Sequence, residues 1–196
     1  MTFHEFISNY DHEGTIVLLE GKRAVTEKDK VKLISLSKLL AMNSRHIKFR
    51  SGNASGADNY FSKGFSGKNS SRFEVIVPYH GHRSYDSAGF DIINIEDIPL
   101  TAESTLVVQS KENRRNLRIF DAYIAGERNS MAYKAAYLLR DTLKVIGHSP
   151  NIPPADFAIF YDDLLNPKSG GTGHTMVICE RNKVPHIDQK TWFNWI

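Results

Sequence analysis

Short apolar runs alternate with segments of helical periodicity along most of this chain, and this alternation restricts the fold more than any other feature. Residues 14–20 form a continuous run rich in branched side chains, which is typical of a strand buried on both faces of a parallel sheet. Thr26 then offers an N-cap, and apolar residues at helical spacing predict an amphipathic helix over 26–43. The same order repeats downstream, so we expect right-handed crossovers and a parallel sheet.

The whole pattern predicts an α/β fold: a single Rossmann-like domain over residues 1–196, with a mainly parallel sheet of about five strands flanked by helices. The further predicted strands are 46–50, 73–78, 156–161 and 184–187. The further predicted helices cover about 54–65, begin at Asn129 or Ser130, and follow Gly173 to about Asn182. Residues 79–127 are irregular, polar and aromatic, so they are predicted to be an insertion-like segment with helix around 106–125.

Composition narrows the cellular setting of the protein without deciding its function. Of 196 residues, 41% are hydrophobic and 24% charged, which permits a packed core, and the net charge of +3 suits an anionic ligand. Cys179 is the sole cysteine, which excludes an internal disulfide and fits a reducing cytosol. No apolar run approaches the roughly 20 residues that span a bilayer, and residues 1–13 lack a signal-peptide pattern. We therefore expect a cytoplasmic protein with no membrane partner.

Two glycine-rich turns are the strongest local signal in the sequence. The turn at 51–58 and the turn at 170–173 each lie between a predicted strand and a predicted helix. Open α/β sheets bind ligands at the carboxyl ends of their strands, where glycines let backbone amides approach an anion. One such turn is weak evidence, because glycines also serve tight turns without a ligand, but two favour a phosphate-bearing ligand. Neither turn matches the dinucleotide or P-loop fingerprint, which disfavours the corresponding dehydrogenases and phosphotransferases.

Polar residues near these turns each have a structural and a functional interpretation. Lys22 and Arg23 follow the first strand, where they would either be solvated or complement a phosphate. Asp58 would compensate the dipole of its helix, accept from a ribose hydroxyl, or orient the loop. His174 would either touch the ligand or fill the first helical turn, and Asn129 would serve as a helix cap.

The sequence predicts no metal site and no cofactor. His80 and His82 are close together, but no thiol or carboxylate cluster and no zinc spacing accompanies them. The basic stretch at 111–118 is typical of a solvated helix face, although its cations could also guide nucleic acid.

Motifs along most of the chain carry a family resemblance. Residues 21–23 form a small residue followed by Lys22 and Arg23, and residues 50–58 are similar to S-G-G-A-x-G-A-D, with Asn53 in place of the second glycine. Four further motifs follow along the chain: residues 77–81, an Arg128–Asn129 pair, a G-G-T-G turn within 169–173 and a closing strand at 184–187. Together these motifs resemble the SLOG superfamily, which groups the DNA-processing protein A family with the Lonely Guy phosphoribohydrolases. The match is closest to phage and bacterial members, and it implies that the Arg-Asn pair lines the pocket.

One departure from the family pattern bears on catalysis. The phosphoribohydrolases carry glutamates soon after the second glycine turn, and those residues act on the ribosyl group. Here Met176 and Val177 fill these positions. Cleavage of an N-glycosidic bond passes through an oxocarbenium-like state that needs a nearby carboxylate, so Asp58, Asp162 or Asp163 would have to supply it.

Three functional hypotheses follow. The leading one is a sensor or sequestering protein that binds a nucleotide or nucleotide-derived phosphorylated ligand through the two glycine-rich turns. The alternatives are a nucleoside 5′-monophosphate phosphoribohydrolase and a single-stranded nucleic-acid binder, so the sequence leaves open whether the protein is an enzyme. The resemblance also implies a homodimer. The predicted ligand-binding residues are Gly21, Lys22, Arg23, Ser51, Gly52, Asn53, Ser55, Gly56, Asp58, Arg128, Asn129, Gly170, Gly171, Thr172, Gly173 and His174.

Overall fold

A computed structural model describes residues 1–65, 67–83, 89–111 and 117–196. Within these ranges, six strands form one sheet in which every neighbouring pair is parallel. The α/β class and the mainly parallel sheet predicted from the sequence are therefore confirmed. In chain order the strands are β1 (Ile16–Gly21), β2 (Lys48–Ser51), β3 (Phe73–Val77), β4 (Asp91–Asn94), β5 (Phe157–Tyr161) and β6 (His186–Ile187).

Helices cover both faces of this sheet. The helix α2 begins where the sequence predicts it, because the Oγ1 of Thr26 accepts a hydrogen bond from the amide of Asp29 at 3.2 Å. No helix in the described ranges is long and apolar enough to cross a membrane. The helices are α1 (Phe3–Tyr10), α2 (Glu27–Asn43), α3 (Ala57–Ser62), α4 (Thr105–Ser110), α5 (Leu117–Ile124), α6 (Ser130–Ile146), α7 (Gly170–Arg181) and α8 (Gln189–Trp192).

The segment 79–127 holds more regular structure than its sequence pattern predicts. It contributes β4, which pairs with β3 at the edge of the sheet, so the described residues form six strands where about five were expected. This strand has four residues, and Asp91 and Ile92 are exposed, so no buried apolar run marks it in the sequence. Around 106–125, where the sequence predicts helix, the structure has α4 and α5. Residues 112–116 of the basic stretch lie outside the described residues.

The two faces of β1 explain its continuous apolar sequence. Val17 and Leu19 belong to an apolar cluster with residues of α1, α2, α3 and α8. Ile16 and Leu18 belong to a second cluster with residues of α6 and α7. Because successive side chains of a strand point to opposite faces, both sets must be apolar when helices cover both sides.

The strand order β4-β3-β2-β1-β5-β6 creates a topological switch point between β1 and β5. The chain leaves β1 to build β2, β3 and β4 on one side, and later returns to add β5 and β6 on the other. At such a point the connections run in opposite directions, and a crevice opens outside the carboxyl ends of the strands. Residues 22–23 follow β1 and the polar loop before α7 follows β5, so both reach this crevice.

Candidate functional site

A cavity of about 670 Å³ lies at the switch point. Its wall comes from the carboxyl end of β1, the loop before α3, the middle of α6 and the first turn of α7. The lining residues are Glu20, Gly21, Lys22, Arg23, Ala54, Asp58, Lys134, Tyr137, Leu138, Arg140, Asp141, Ser169, Gly170, Gly171, Thr172 and His174.

The structure brings part of the predicted binding set together at this cavity. The predicted residues that line it are Gly21, Lys22, Arg23, Asp58, Gly170, Gly171, Thr172 and His174. The remaining predicted residues are absent from the described lining, and they are Ser51, Gly52, Asn53, Ser55, Gly56, Arg128, Asn129 and Gly173. Neighbouring groups of the protein explain most of these absences.

In the first glycine loop (residues 51–56), the glycines allow close packing within the protein. A Cβ at Gly56 would lie 2.4 Å from the carbonyl oxygen of Arg23, and the φ of Gly56 is +94°. A Cβ at Gly52 would lie 3.0 Å from the Nζ of Lys144 and 3.1 Å from the Cζ of Arg140. Arg140 also donates from Nη1 to the carbonyl oxygen of Gly52 at 2.9 Å. These two glycines therefore make room for other parts of the chain.

Asn53 stands where the family resemblance implies a glycine. Its φ of +51° lies in the left-handed region, which glycine adopts freely and asparagine more readily than most other residues. The replacement is therefore compatible with a loop that needs a left-handed residue at this position.

Asp58 joins the end of β1 to the first glycine loop. It is buried, its Oδ1 accepts from the amide of Gly21 at 3.0 Å, and its Oδ2 accepts from the amide of Ala54 at 3.2 Å. Burial raises the pKa of Asp58, while the charges of Lys144 and Arg140 and the two amides act in the opposite direction. Both carboxylate oxygens are engaged with the backbone, so this side chain orients the loop.

The second glycine segment (residues 170–173) differs from its prediction, because it begins α7 instead of preceding it as a turn. Outside its own helical backbone, a Cβ at Gly170 would have no atom within 4 Å, and one at Gly171 would meet only the Oδ2 of Asp141, at 3.0 Å. The N-cap residue Ser169 makes no side-chain cap bond. Amides of a first helical turn lack intrahelical acceptors and carry partial positive charge, so Gly170 and Gly171 leave them open to an anion.

Two predicted binding positions have structural roles that remove them from the cavity. A Cβ at Gly173 would lie 1.9 Å from the carbonyl oxygen of Lys168, so this glycine permits a backbone contact. The Oδ1 of Asn129 accepts hydrogen bonds at 3.0 Å from two amides in the first turn of α6. Asn129 is therefore a helix cap, and neither it nor Arg128 lines the cavity as the resemblance implied.

The helix α6 supplies site residues that the sequence reasoning missed. Apolar periodicity predicted the helix, but it did not indicate a role for the charged side chains on it. Arg140, Asp141 and Lys144 are all buried, and their spacing puts them close together on the helix surface. Charges on the core-facing side of an amphipathic helix were the available signal. The lining residues from this helix are Lys134, Tyr137, Leu138, Arg140 and Asp141.

Glu20, Arg140, Asp141 and Lys144 form a buried charge network at the cavity. The Nζ of Lys144 contacts the Oε2 of Glu20 at 2.6 Å and the Oδ1 of Asp141 at 2.9 Å. Arg140 donates from Nη2 to the Oδ1 of Asp141 at 2.7 Å. The Oγ1 of Thr175 donates to the Oε1 of Glu20 at 2.9 Å. The network therefore joins β1, α6 and α7, and removing one charge would leave another buried without its partner.

Burial and the two cations act in opposite directions on the carboxyl groups of this network. Burial raises the pKa of Glu20 to about 8, although Lys144 acts against this shift. Burial also acts on Asp141, but Arg140 and Lys144 hold its pKa below the ordinary value. For Lys144 burial is outweighed by Asp141 and Glu20, and its pKa is raised. The two cations therefore favour the ionised form of Asp141, whereas burial favours the protonated form of Glu20.

The histidines of the region behave as neutral groups or surface contacts. The Nε2 of His174 lies 3.0 Å from the Oγ1 of Thr142, and burial lowers the pKa of His174. The Nε2 of His80 contacts the Oδ1 of Asp97 at 3.0 Å. Across the part of the chain that the structure describes, no cluster of three or more histidine, cysteine, aspartate or glutamate side chains could hold a metal ion.

A solved structure shares this fold. DNA processing protein A from Helicobacter pylori, whose structure was studied for its single-stranded DNA binding mode, matches with a TM-score of 0.56 and 16% sequence identity. The match covers 90% of this chain and 65% of that one. At this identity the likeness shows the fold alone. No protein-family model matches the chain, and no curated protein matches it in sequence.

Proposed function

We propose that this protein binds a nucleotide or nucleotide-derived phosphorylated ligand in the cavity, with a phosphate against the first turn of α7. The proposal depends chiefly on Gly170 and Gly171, which begin a helix of 12 residues and have no side chain between their amides and the cavity. Helix N-termini with glycines are a common phosphate site in α/β proteins. The cavity volume of about 670 Å³ also falls in the range of small-molecule sites.

The cations around the cavity support an anionic ligand. Lys22 and Arg23 follow β1, Lys134 lies on α6, and Arg140 belongs to the buried charge network. The Nζ of Lys22 lies 3.4 Å from the Oδ1 of Asp163, and such a partly exposed pair is weak enough to yield to a ligand. Charge-assisted hydrogen bonds from these groups would hold phosphate oxygens more strongly than neutral donors.

The carboxylates at the cavity favour binding over turnover. Both oxygens of Asp58 accept from backbone amides, while Glu20 and Asp141 contact Lys144 in the buried charge network. Asp162 is absent from the described lining of the cavity. A glycosidase needs a carboxylate that can approach the reacting carbon, so we infer a sensing or sequestering role. Release of free base from a nucleoside 5′-monophosphate would instead support the phosphoribohydrolase alternative.

Calorimetric titration with nucleoside phosphates, cyclic dinucleotides and ADP-ribose tests the proposal. The decisive variant is Arg23→Gln, which removes a cation from the cavity and should weaken binding about tenfold or more. The matched control is Arg45→Gln, which removes the same charge from an exposed position before β2, at the opposite end of the sheet. We expect the control to bind like the unsubstituted protein. If no compound in the panel binds the unsubstituted protein, the proposal is wrong.

Single-stranded DNA binding is the second candidate function, and the fold match to the Helicobacter pylori protein favours it. A backbone phosphate of a DNA strand could occupy the same cationic cavity. Fluorescence anisotropy with a labelled oligonucleotide would measure this affinity, and a mononucleotide would serve as competitor. A DNA interaction that weakens steeply with salt and resists excess mononucleotide would favour the second candidate over the first.

A further inference from the structure

An aromatic cluster lies beside the cavity, and the proposed phosphate site makes no use of it. The tyrosine cluster consists of Tyr79, His82, Tyr133 and Tyr137. The ring of Tyr79 lies 5.5 Å from that of Tyr133 and 6.4 Å from that of Tyr137, both edge to face. The ring of His82 lies 5.1 Å from Tyr79 and 5.8 Å from Tyr137. These contacts hold the rings in defined orientations.

The tyrosine cluster extends from the cavity wall to solvent. Tyr137 belongs to the cluster and also lines the cavity, and the Cζ of Arg140 lies 5.1 Å from the centre of its ring. Tyr133 precedes Tyr137 by four residues on α6, so both lie on one face of the helix. Tyr133 is 45% exposed, so the cluster is open to solvent at this ring. A ligand held in the cavity would therefore meet aromatic rings as it leaves.

One hydrogen bond links polar groups within the cluster, while the buried Nδ1 of His82 has no hydrogen-bond partner among the described residues. The hydroxyl of Tyr137 lies 3.3 Å from the Nε2 of His82, and a hydrogen bond with Tyr137 raises the pKa of Tyr79. Burial and the nearby charge of Arg140 together lower the pKa of His82 to about 4, so the imidazole is neutral at physiological pH. The cluster therefore presents uncharged rings next to the cationic cavity.

We infer that the tyrosine cluster stacks against the base of the ligand, which makes the ligand a nucleotide and not a sugar phosphate. This inference rests on the proposed function, because it takes the phosphate to lie at the start of α7. Tyr137 and Arg140 are separated by three residues, or about 4.5 Å along the axis of α6. A phosphate near Arg140 and a base near Tyr137 are thus compatible with one nucleotide. Stacking tolerates every base, so the four nucleotides should bind with similar affinity.

Calorimetry with adenosine 5′-monophosphate and ribose 5-phosphate tests this inference, since the two ligands differ by the base. We expect the nucleotide to bind the unsubstituted protein about tenfold more tightly or better. Tyr133→Ala and Tyr137→Leu should each remove much of this advantage, and Tyr133→Ala should leave the affinity for ribose 5-phosphate unchanged. Tyr133→Phe, which keeps the ring, should retain it. Tyr60→Ala is the matched control, because Tyr60 lies near Lys30 and Lys63 and does not line the cavity.

The outcomes separate the base site from the phosphate site. Equal affinities of the unsubstituted protein for the two ligands would overturn the base site and leave the phosphate proposal intact. Nucleotide affinity that is unchanged in Tyr133→Ala and Tyr137→Leu would also overturn it. If Tyr137→Leu fails to fold, the exposed Tyr133 still provides the test. Failure of both ligands to bind would overturn the base site, and the proposed function would fall only if the whole panel of nucleoside phosphates, cyclic dinucleotides and ADP-ribose also failed to bind.

Discussion

The two glycine segments meet at one edge of the sheet, but their glycines serve different purposes. In the first glycine loop, added Cβ atoms at Gly52 and Gly56 would collide with side chains or backbone of the protein itself. In the second glycine segment, a Cβ at Gly170 would have no atom within 4 Å, and one at Gly171 would meet a single side-chain atom, the Oδ2 of Asp141 at 3.0 Å. The first pair makes room for the protein, and the second pair leaves room for a ligand.

Gly173 shows that packed and open glycine positions can occur in the same motif. It belongs to the second glycine segment, yet a Cβ there would lie 1.9 Å from a carbonyl oxygen of the preceding loop. A glycine-rich motif therefore combines positions required by folding with positions available for binding, and the surroundings of each glycine distinguish them.

The largest effect should come from filling the packed glycine positions. Gly56→Ala and Gly173→Ala bring a Cβ within 2.4 Å and 1.9 Å of backbone atoms, so each should lower the free energy of unfolding by about 4 kcal/mol. Gly171→Ala should change it by less than about 1 kcal/mol, because the nearest atom is the end of a side chain. Urea denaturation measures all three values. Gly14→Ala controls for backbone strain, since its φ is +86° and its surroundings are open. Equal losses for Gly171→Ala and Gly173→Ala would break the comparison.

A smaller loss of stability should distinguish the buried charges that support the first glycine loop from the exposed charges that face the ligand. Lys144→Met removes a buried cation that contacts Glu20 and Asp141, so we expect a loss of about 3 kcal/mol in the free energy of unfolding. Lys134→Met is the matched change at an exposed position of the same helix. It should leave the unfolding free energy within about 0.5 kcal/mol and weaken binding of nucleoside phosphates. Thermal or urea unfolding combined with calorimetry would distinguish these results, and the reverse pattern would contradict the assignment.

The smallest effect should be a dependence of ligand affinity on pH. The pKa of Glu20 is about 8, so raising the pH from 7 to 9 adds a negative charge beside the bound anion. Affinity for a nucleoside monophosphate should fall about threefold, because a phosphate with a second pKa of about 6 is already fully charged. Glu20→Gln should abolish this dependence in calorimetric titrations. An affinity that is constant with pH in the unsubstituted protein would show that Glu20 does not titrate against the ligand.

Ionisation of Glu20 should also lower the free energy of unfolding as the pH rises. The ordinary pKa of a glutamate is 4.5, and the folded protein raises that of Glu20 to about 8. The folded state therefore holds the proton more tightly, so the stability gained is complete below about pH 4.5 and is lost as the pH rises towards 8. Unfolding of Glu20→Gln should lack this contribution.

Sequence patterns predicted the parts of the fold that local chemistry determines. Apolar runs located β1, β2, β3 and β5, because strands that are buried on both faces require them. Helical periodicity located α2 and α6, because each of these helices buries one side. The rule that ligands bind at strand ends then identified Lys22, Arg23 and the start of α7 as neighbours. The short exposed strand β4 had no such pattern and was missed.

The rest of the site depends on contacts that are distant in the sequence. Gly52 packs against Lys144, and Glu20 lies beside α6, only because the folded chain brings these distant residues together. The spacing of residues in the sequence does not predict either contact. For the same reason the sequence did not reveal the tyrosine cluster, which combines the loop after β3 with one face of α6. The homodimer, the cytoplasmic location and the closeness to phage and bacterial members stay predictions.

The wall of the cavity is assembled from segments near residues 21, 54, 137 and 171, so no short fragment of the chain contains it. A ligand that bridges these segments binds the folded chain and not the unfolded one. At a concentration one hundred times its dissociation constant, such a ligand would add about 2.7 kcal/mol to the unfolding free energy. Proteases act on opened molecules, so the lifetime of this protein in a cell would follow the supply of its ligand.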